Sequence, residues 1–164
     1  MSHSLVLDLS DANKLLVGHQ DHYIRPANSK DLPQISAIEQ LTSAYPCSNK
    51  QLQNCIHQTY VLCQESAIQG FIVIAIVENQ AELHNIAINP EAQGKGFGSL
   101  FLQGLIQALP TRIEQFYLEV RVGNYRAIRL YHRLGFVKIA ERKDYYRHGL
   151  GREDALVMAR PCKQ

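Results

Sequence analysis

A chain of 164 residues, 46% hydrophobic and 20% charged, has the length of one domain and enough apolar residues to bury a core. Its formal net charge of +2 lacks the Lys/Arg excess expected of a nucleic-acid-binding protein, and no apolar run approaches the roughly 20 residues of a membrane span. The N-terminus has no basic stretch typical of a signal peptide, and Cys47, Cys55, Cys63 and Cys162 form no Cys-x-x-Cys pair. The expectation is a cytoplasmic protein with free thiols, no metal site, no nucleic-acid partner and no membrane partner.

No repeat or linker divides the chain. Residues 1–20 read as an N-terminal extension: either a short helix begun by Leu15-Leu16-Val17 and capped by Ser10 or Asp11, or a loosely attached segment. Residues 21–164 read as a single domain. His22–Arg25 predicts a strand, and Asn28-Ser-Lys-Asp31 a turn with helix-cap character. Leu32, Ile35, Ile38 and Leu41 predict an amphipathic helix, followed by a weaker one over residues 50–57. Strands are expected over 59–64, 70–77 and 81–88, with Glu78-Asn-Gln80 as a hairpin-like turn. A Gly-rich loop, Gln93 to Gly98, opens a helix over 99–109, stopped by Pro110. Residues 116–122 read as a strand, Asn124 caps a helix ending at Leu134-Gly135, and 137–140 and 155–159 are the final strands. The order β-α-α-β-β-β-α-β-α-β-β predicts an α/β (α+β) fold, a mixed sheet with helices on both faces.

The loop carries the most chemistry. A strand ending Ile86-Ala87-Ile88 runs into Gln93-Gly94-Lys95-Gly96-Phe97-Gly98, and a helix begins at once. Glycine permits close backbone approach and positive φ, and the first N–H groups of a helix suit a pyrophosphate. Lys95 would add a charge. Neither the P-loop pattern nor the Gly-x-Gly-x-x-Gly fingerprint is present, and a tight turn without a ligand is the competing reading. Gln93-x-x-Gly96-x-Gly98 resembles the Gln/Arg-x-x-Gly-x-Gly/Ala signature of the GNAT acetyltransferases. That resemblance implies a mostly antiparallel sheet splayed at the cofactor site, with acetyl-CoA as acetyl donor. It further implies that the backbone of residues 93–98 binds the pyrophosphate. Ile86, Ala87 and Ile88 would pair with the pantetheine arm and lie near the thioester carbonyl.

Two further residues stand out. Alternation on the strand puts Glu119 on the face shared by Tyr117 and Arg121, where it is either a solvated partner of Arg121 or a catalytic carboxylate. Asn124, Ala127, Ile128, Tyr131 and Leu134 share one helical face, so Tyr131 is either core packing or a reactive group, and Asn124 a cap. The run Leu118-Glu-Val-Arg121 to Leu134-Gly135-Phe136, with Arg142-Lys-Asp-Tyr145-Tyr146 and Gly151 to Met158, resembles GNAT enzymes that acetylate the N-terminal alanine of a small-subunit ribosomal protein. The likeness covers about 23–160. It implies Glu119 as general base, Tyr131 as general acid, Asn124 as a cofactor contact, a ribosomal protein N-terminus as acceptor, and a monomer or weak dimer. Ala44-Tyr-Pro46-Cys47-Ser48 departs from the family's Ala-Phe-Pro-Trp-Ser, which leaves the acceptor preference open. The chemistry agrees: an α-ammonium has a pKa near 8, so a modest base frees it, and direct transfer needs no covalent intermediate. Two alternatives stay open: a lysine or small-molecule amine as acceptor, and a CoA-binding module without catalysis. The presence of both Glu119 and Tyr131 argues against the second.

Overall fold

A computed structural model describes residues 6–19 and 21–162. They fall into two compact units: the chain up to Ala75 with Asn85–Pro110, and Ile76–His84 with the chain from Thr111 onward. The strands and helices make a mixed α/β fold in which the sheet is mostly antiparallel.

The first unit holds α1 (Ser10–Lys14), β1 (His22–Pro26), α2 (Leu32–Thr42), α3 (Asn49–Asn54), β2 (Thr59–Gln64), most of β3 (Ala67–Val77), the end of β4 (Gln80–Ile88) and α4 (Phe97–Ala108). β1, β2 and β3 pair antiparallel in that order, and β4 follows β3. Ile35 and Ile38 of α2 and Leu52 of α3 pack on Val61, Cys63, Phe71 and Val73. Each fully buried side chain of this size contributes about 1.5–3 kcal/mol.

Two expectations need correction here. Leu41 is 67% exposed, while Glu39 is buried. Steps of three lag the 3.6-residue turn, so nine residues carry Leu41 to the far side of α2, whereas seven return Glu39 to the face of Leu32. The N-terminal helix also differs from its reading: it spans Ser10–Lys14, ahead of Leu15-Leu16-Val17, and neither Ser10 nor Asp11 caps it. Asp8 takes the amide and hydroxyl of Ser10 instead, at 3.0 and 2.6 Å. Leu7, Ala12 and Leu16 are buried, and α1 packs on α4. Asn13 pairs with both backbone groups of Ile24 in β1, at 2.7 and 3.1 Å. Residues 1–5 and 20 of the expected extension lie outside the described residues.

The second unit holds the start of β4, β5 (Gln115–Arg121), α5 (Tyr125–Arg133), β6 (Val137–His148) and β7 (Gly151–Pro161), with strand order β4-β5-β7-β6. β4 pairs in parallel with β5 over four positions, Gln80–Leu83 with Gln115–Leu118. Phe116, Phe136 and Tyr131 form an aromatic core, with ring centroids 5.4 and 5.9 Å apart in edge-to-face contact. β6 and β7 are far longer than the short strands expected over 137–140 and 155–159. Almost every residue of β6 is exposed, so no apolar alternation marks it. Among the described residues, no helix is long and apolar enough to cross a membrane.

Candidate active site

In the first unit the end of β4 leads through a turn at Pro90–Ala92 into the loop and α4. Asn89 caps the turn by accepting the amide of Glu91 at 3.2 Å, and its own amide donates to Gln69 in β3 at 2.7 Å. Ala87 is buried, with Ile86 and Ile88 half-buried beside it. Gly70 of β3 makes this approach possible: a Cβ there would sit 2.6 Å from Ile88 Cδ1 and 2.8 Å from the Ala87 carbonyl. The sequence reading missed Gly70, although a glycine inside a β-branched run is the signal of such an approach.

The loop has the backbone that an anion site requires. Gly94 and Gly96 have φ of +75° and +84°, and a Cβ at either would meet no protein atom within 4 Å. Gly98 is not among the positive-φ residues; it stands in the first turn of α4, which starts two residues earlier than expected. Gly96 is the N-cap of α4 and supplies no side-chain cap, so the first-turn N–H groups are left for a ligand. Gln93 Nε2 donates to the Ile88 carbonyl at 2.9 Å and so braces the loop on β4. Lys95 is exposed, while Phe97 is buried with His22 stacked on it at 4.3 Å.

In the second unit β5 alternates as expected: Phe116, Leu118 and Val120 are buried, and Tyr117, Glu119 and Arg121 face the other way. Glu119 does not pair with Arg121. Its carboxylate forms an ion pair with Arg142 Nε of β6 at 2.8 Å, and the Arg142 guanidinium lies 5.4 Å from the ring centre of Tyr145. Arg121 turns instead to Glu153 at 3.4 Å and lies 4.5 Å from the ring centre of Tyr146. Tyr131 is 5% exposed, and burial drives its hydroxyl well above the usual tyrosine value, with Tyr146 nearby adding to the shift. Tyr146 is pushed up to about 12, first by burial and then by the charge of Glu119. Tyr145 and Tyr146 themselves meet edge-to-face, with ring centres 4.9 Å apart. Asn124 caps α5 by accepting the Ala127 amide at 3.2 Å, and Gly135 follows the helix with φ of +86°. Arg142, Tyr145 and Tyr146 received no role from the sequence; only the strand order reveals them.

A model of the Acetyltransferase (GNAT) family matches residues 24–136. The chain is 37% identical over 142 residues to the ribosomal protein bS18-alanine N-acetyltransferase of Escherichia coli (strain K12), covering 84% of this chain and 96% of the relative. It is 31% identical over 160 residues to an N-alpha-acetyltransferase of Saccharolobus solfataricus, covering 87% and 94%. The crystal structure of the ribosomal-protein-S18-alanine N-acetyltransferase from Escherichia coli matches with a TM-score of 0.81 at 36% identity, covering 87% of this chain and 95% of that one. The glycine loop, the acidic strand and the buried tyrosine thus stand in a chain that belongs to the GNAT family of acetyltransferases.

Proposed function

We propose that this enzyme transfers an acetyl group from acetyl-CoA to the N-terminal α-amine of a protein, the alanine terminus of a small-subunit ribosomal protein. The observation that carries the reading is the likeness, over 84% of the chain, to an enzyme named for that acceptor. Residues 21–164 act as one catalytic domain in the cytoplasm, where ribosomal proteins are made. The enzyme acts as a monomer or weak dimer.

Acetyl-CoA supplies the acetyl group as an activated thioester. The left-handed glycines and the uncapped α4 terminus fit its pyrophosphate. The loop backbone of residues 93–98 would hold that group, with Lys95 adding charge. Ile86, Ala87 and Ile88 would hold the pantetheine arm and offer backbone N–H groups to the carbonyl oxygen. Asn124, its Oδ1 engaged in the cap, would offer Nδ2. Glu119 accepts a proton from the acceptor ammonium, whose pKa of about 8 makes a carboxylate sufficient, directly or through a water. Tyr131 keeps its proton at neutral pH and gives it to the departing sulfur.

The test compares two peptides at neutral pH as kcat/KM, which reports discrimination. One begins with a free alanine; the other has the same sequence, a blocked N-terminus and an internal lysine. Acetylation of the α-amine well ahead of the lysine is expected, because a lysine near pKa 10.4 needs a stronger base. Equal or faster reaction of the blocked peptide would overturn the acceptor assignment and leave acetyl transfer standing.

A further inference from the structure

The carboxylate of Glu119 is paired with Arg142 in an irregular stretch of β6, and Tyr145 of the same stretch packs against that guanidinium. β7 lies between β5 and β6, so Arg142 must reach across it to meet Glu119. A regular β6 would not bring Arg142 and Tyr145 together, because residues three apart point to opposite faces of a strand. The β6–β7 register breaks at this point. Arg142 pairs with Ala155, but the next pair is Tyr146 with Glu153, so residues 143–145 oppose Asp154 alone. Asp144 in the middle takes φ of +52°, a conformation costly for a non-glycine residue.

Asp154 holds the bulge in place. Its carboxylate accepts the Asp144 amide at 2.9 Å and Lys143 Nζ at 3.1 Å, and its backbone carbonyl accepts the Val122 amide at 3.1 Å. Arg142 lies 5.4 Å from the ring centre of Tyr145, so the two side chains stiffen each other. The Arg142–Glu119 pair adds little to stability: Arg142 is 56% exposed, and exposed pairs are worth about 0–1 kcal/mol. Fixing the direction of a carboxylate is a different effect, since proton transfer requires it within hydrogen-bond reach of the acceptor amine.

We propose that Arg142 and Tyr145 are positioning residues for acetyl transfer, set over Glu119 by the Asp154-anchored bulge of β6. The proposal rests on the assignment of Glu119 as base. The experiment measures single-turnover and steady-state rates, with an alanine-starting peptide and acetyl-CoA, for Arg142→Gln, Arg142→Lys, Tyr145→Phe, Asp154→Ala and Glu119→Gln. Each of the first four is also combined with Glu119→Gln. Arg142→Gln, Tyr145→Phe and Asp154→Ala should each lower kcat about 2- to 150-fold, the span of couplings between touching residues, with KM for acetyl-CoA unchanged. Arg142→Lys should recover part of the Arg142→Gln loss. In the Glu119→Gln background the same substitutions should have no further effect, whereas a merely structural role would add its loss in both backgrounds. Wild-type kcat in both Arg142→Gln and Tyr145→Phe, or losses undiminished in the Glu119→Gln background, would overturn the positioning role alone. Full turnover in Glu119→Gln itself would overturn the base assignment and the positioning role together.

Discussion

At Gly96 a methyl group would touch no protein atom, yet the backbone sits at φ +84°. Strain and ligand space therefore separate cleanly in Gly96→Ala. The left-handed conformation should cost about 1–2 kcal/mol of stability, seen as a lower urea midpoint with an unchanged m value. The added Cβ points into space the pyrophosphate backbone contacts would need, so acetyl-CoA affinity should fall by more than the strain explains. Calorimetry showing wild-type affinity would remove the loop from the cofactor site. Tyr131 gives a second prediction at this scale. Its hydroxyl is held protonated by burial, so Tyr131→Phe should lower kcat about 10²- to 10⁴-fold while KM for acetyl-CoA holds. Because a raised pKa keeps the acid form through the usual tyrosine range, kcat should show no alkaline decline from Tyr131 below about pH 10. A wild-type rate in Tyr131→Phe would assign Tyr131 to packing against Phe136.

Between elements, the close approach of β3 and β4 depends on Gly70. A Cβ there would meet the Ala87 carbonyl at 2.8 Å, and a backbone atom cannot swing aside as a side chain can. Gly70→Ala should displace the Ala87–Ile88 segment and so weaken acetyl-CoA binding. Unchanged affinity, measured by calorimetry on a variant with native circular dichroism, would show that the segment tolerates the shift. α2 depends on Glu39 in a similar way. One carboxylate oxygen accepts the Cys47 amide and the other the Asn85 side chain, each at 3.0 Å, so the helix is tied to the Pro46–Ser48 turn and to β4. The regular helices and the apolar strands were legible in the sequence, because each buries one face and repeats at its own period. Glu39 was not, since a polar residue on an apolar face breaks the pattern that identifies the face. β6 was not legible either: its charged, exposed run has no period, and its pairing with β7 comes from backbone hydrogen bonds that any sequence can make. For the same reason Arg121, two residues from Glu119 and on its face, was a plausible partner until the strand order placed Arg142 across β7.

Taken over the whole molecule, the ionisable groups define the pH range in which the fold is most stable. Arg25 grips Asp31 through two hydrogen bonds at 2.7 and 2.8 Å, and the bonds from Asp144 and Lys143 hold Asp154. Both carboxyls lie below their ordinary value for these reasons, and Asp8 does too through Ser10. At the other end, burial raises the thiols of Cys63 and Cys162, and burial with Glu39 nearby raises Cys47. Burial also raises the hydroxyls of Tyr60, Tyr131 and Tyr146. The signs follow from linkage. A depressed carboxyl adds stability that is complete above its unfolded pKa of about 3.9 and is lost as pH falls through the folded value. A raised thiol or phenol adds stability that is complete below its unfolded pKa, about 8.5 or 10, and is lost as pH rises through the folded value. Urea midpoints in reducing buffer should therefore hold a plateau between about pH 5 and pH 8 and fall on both sides. Asp31→Asn separates one contribution: it removes a charge-assisted pair, at a cost of about 1.5–3 kcal/mol at pH 7. Its stability should then fall less steeply than wild type as pH drops below about 4, because the carboxyl that takes up a proton there is gone. Parallel acid limbs for the two proteins would mean that Asp31 gains nothing from Arg25 on folding.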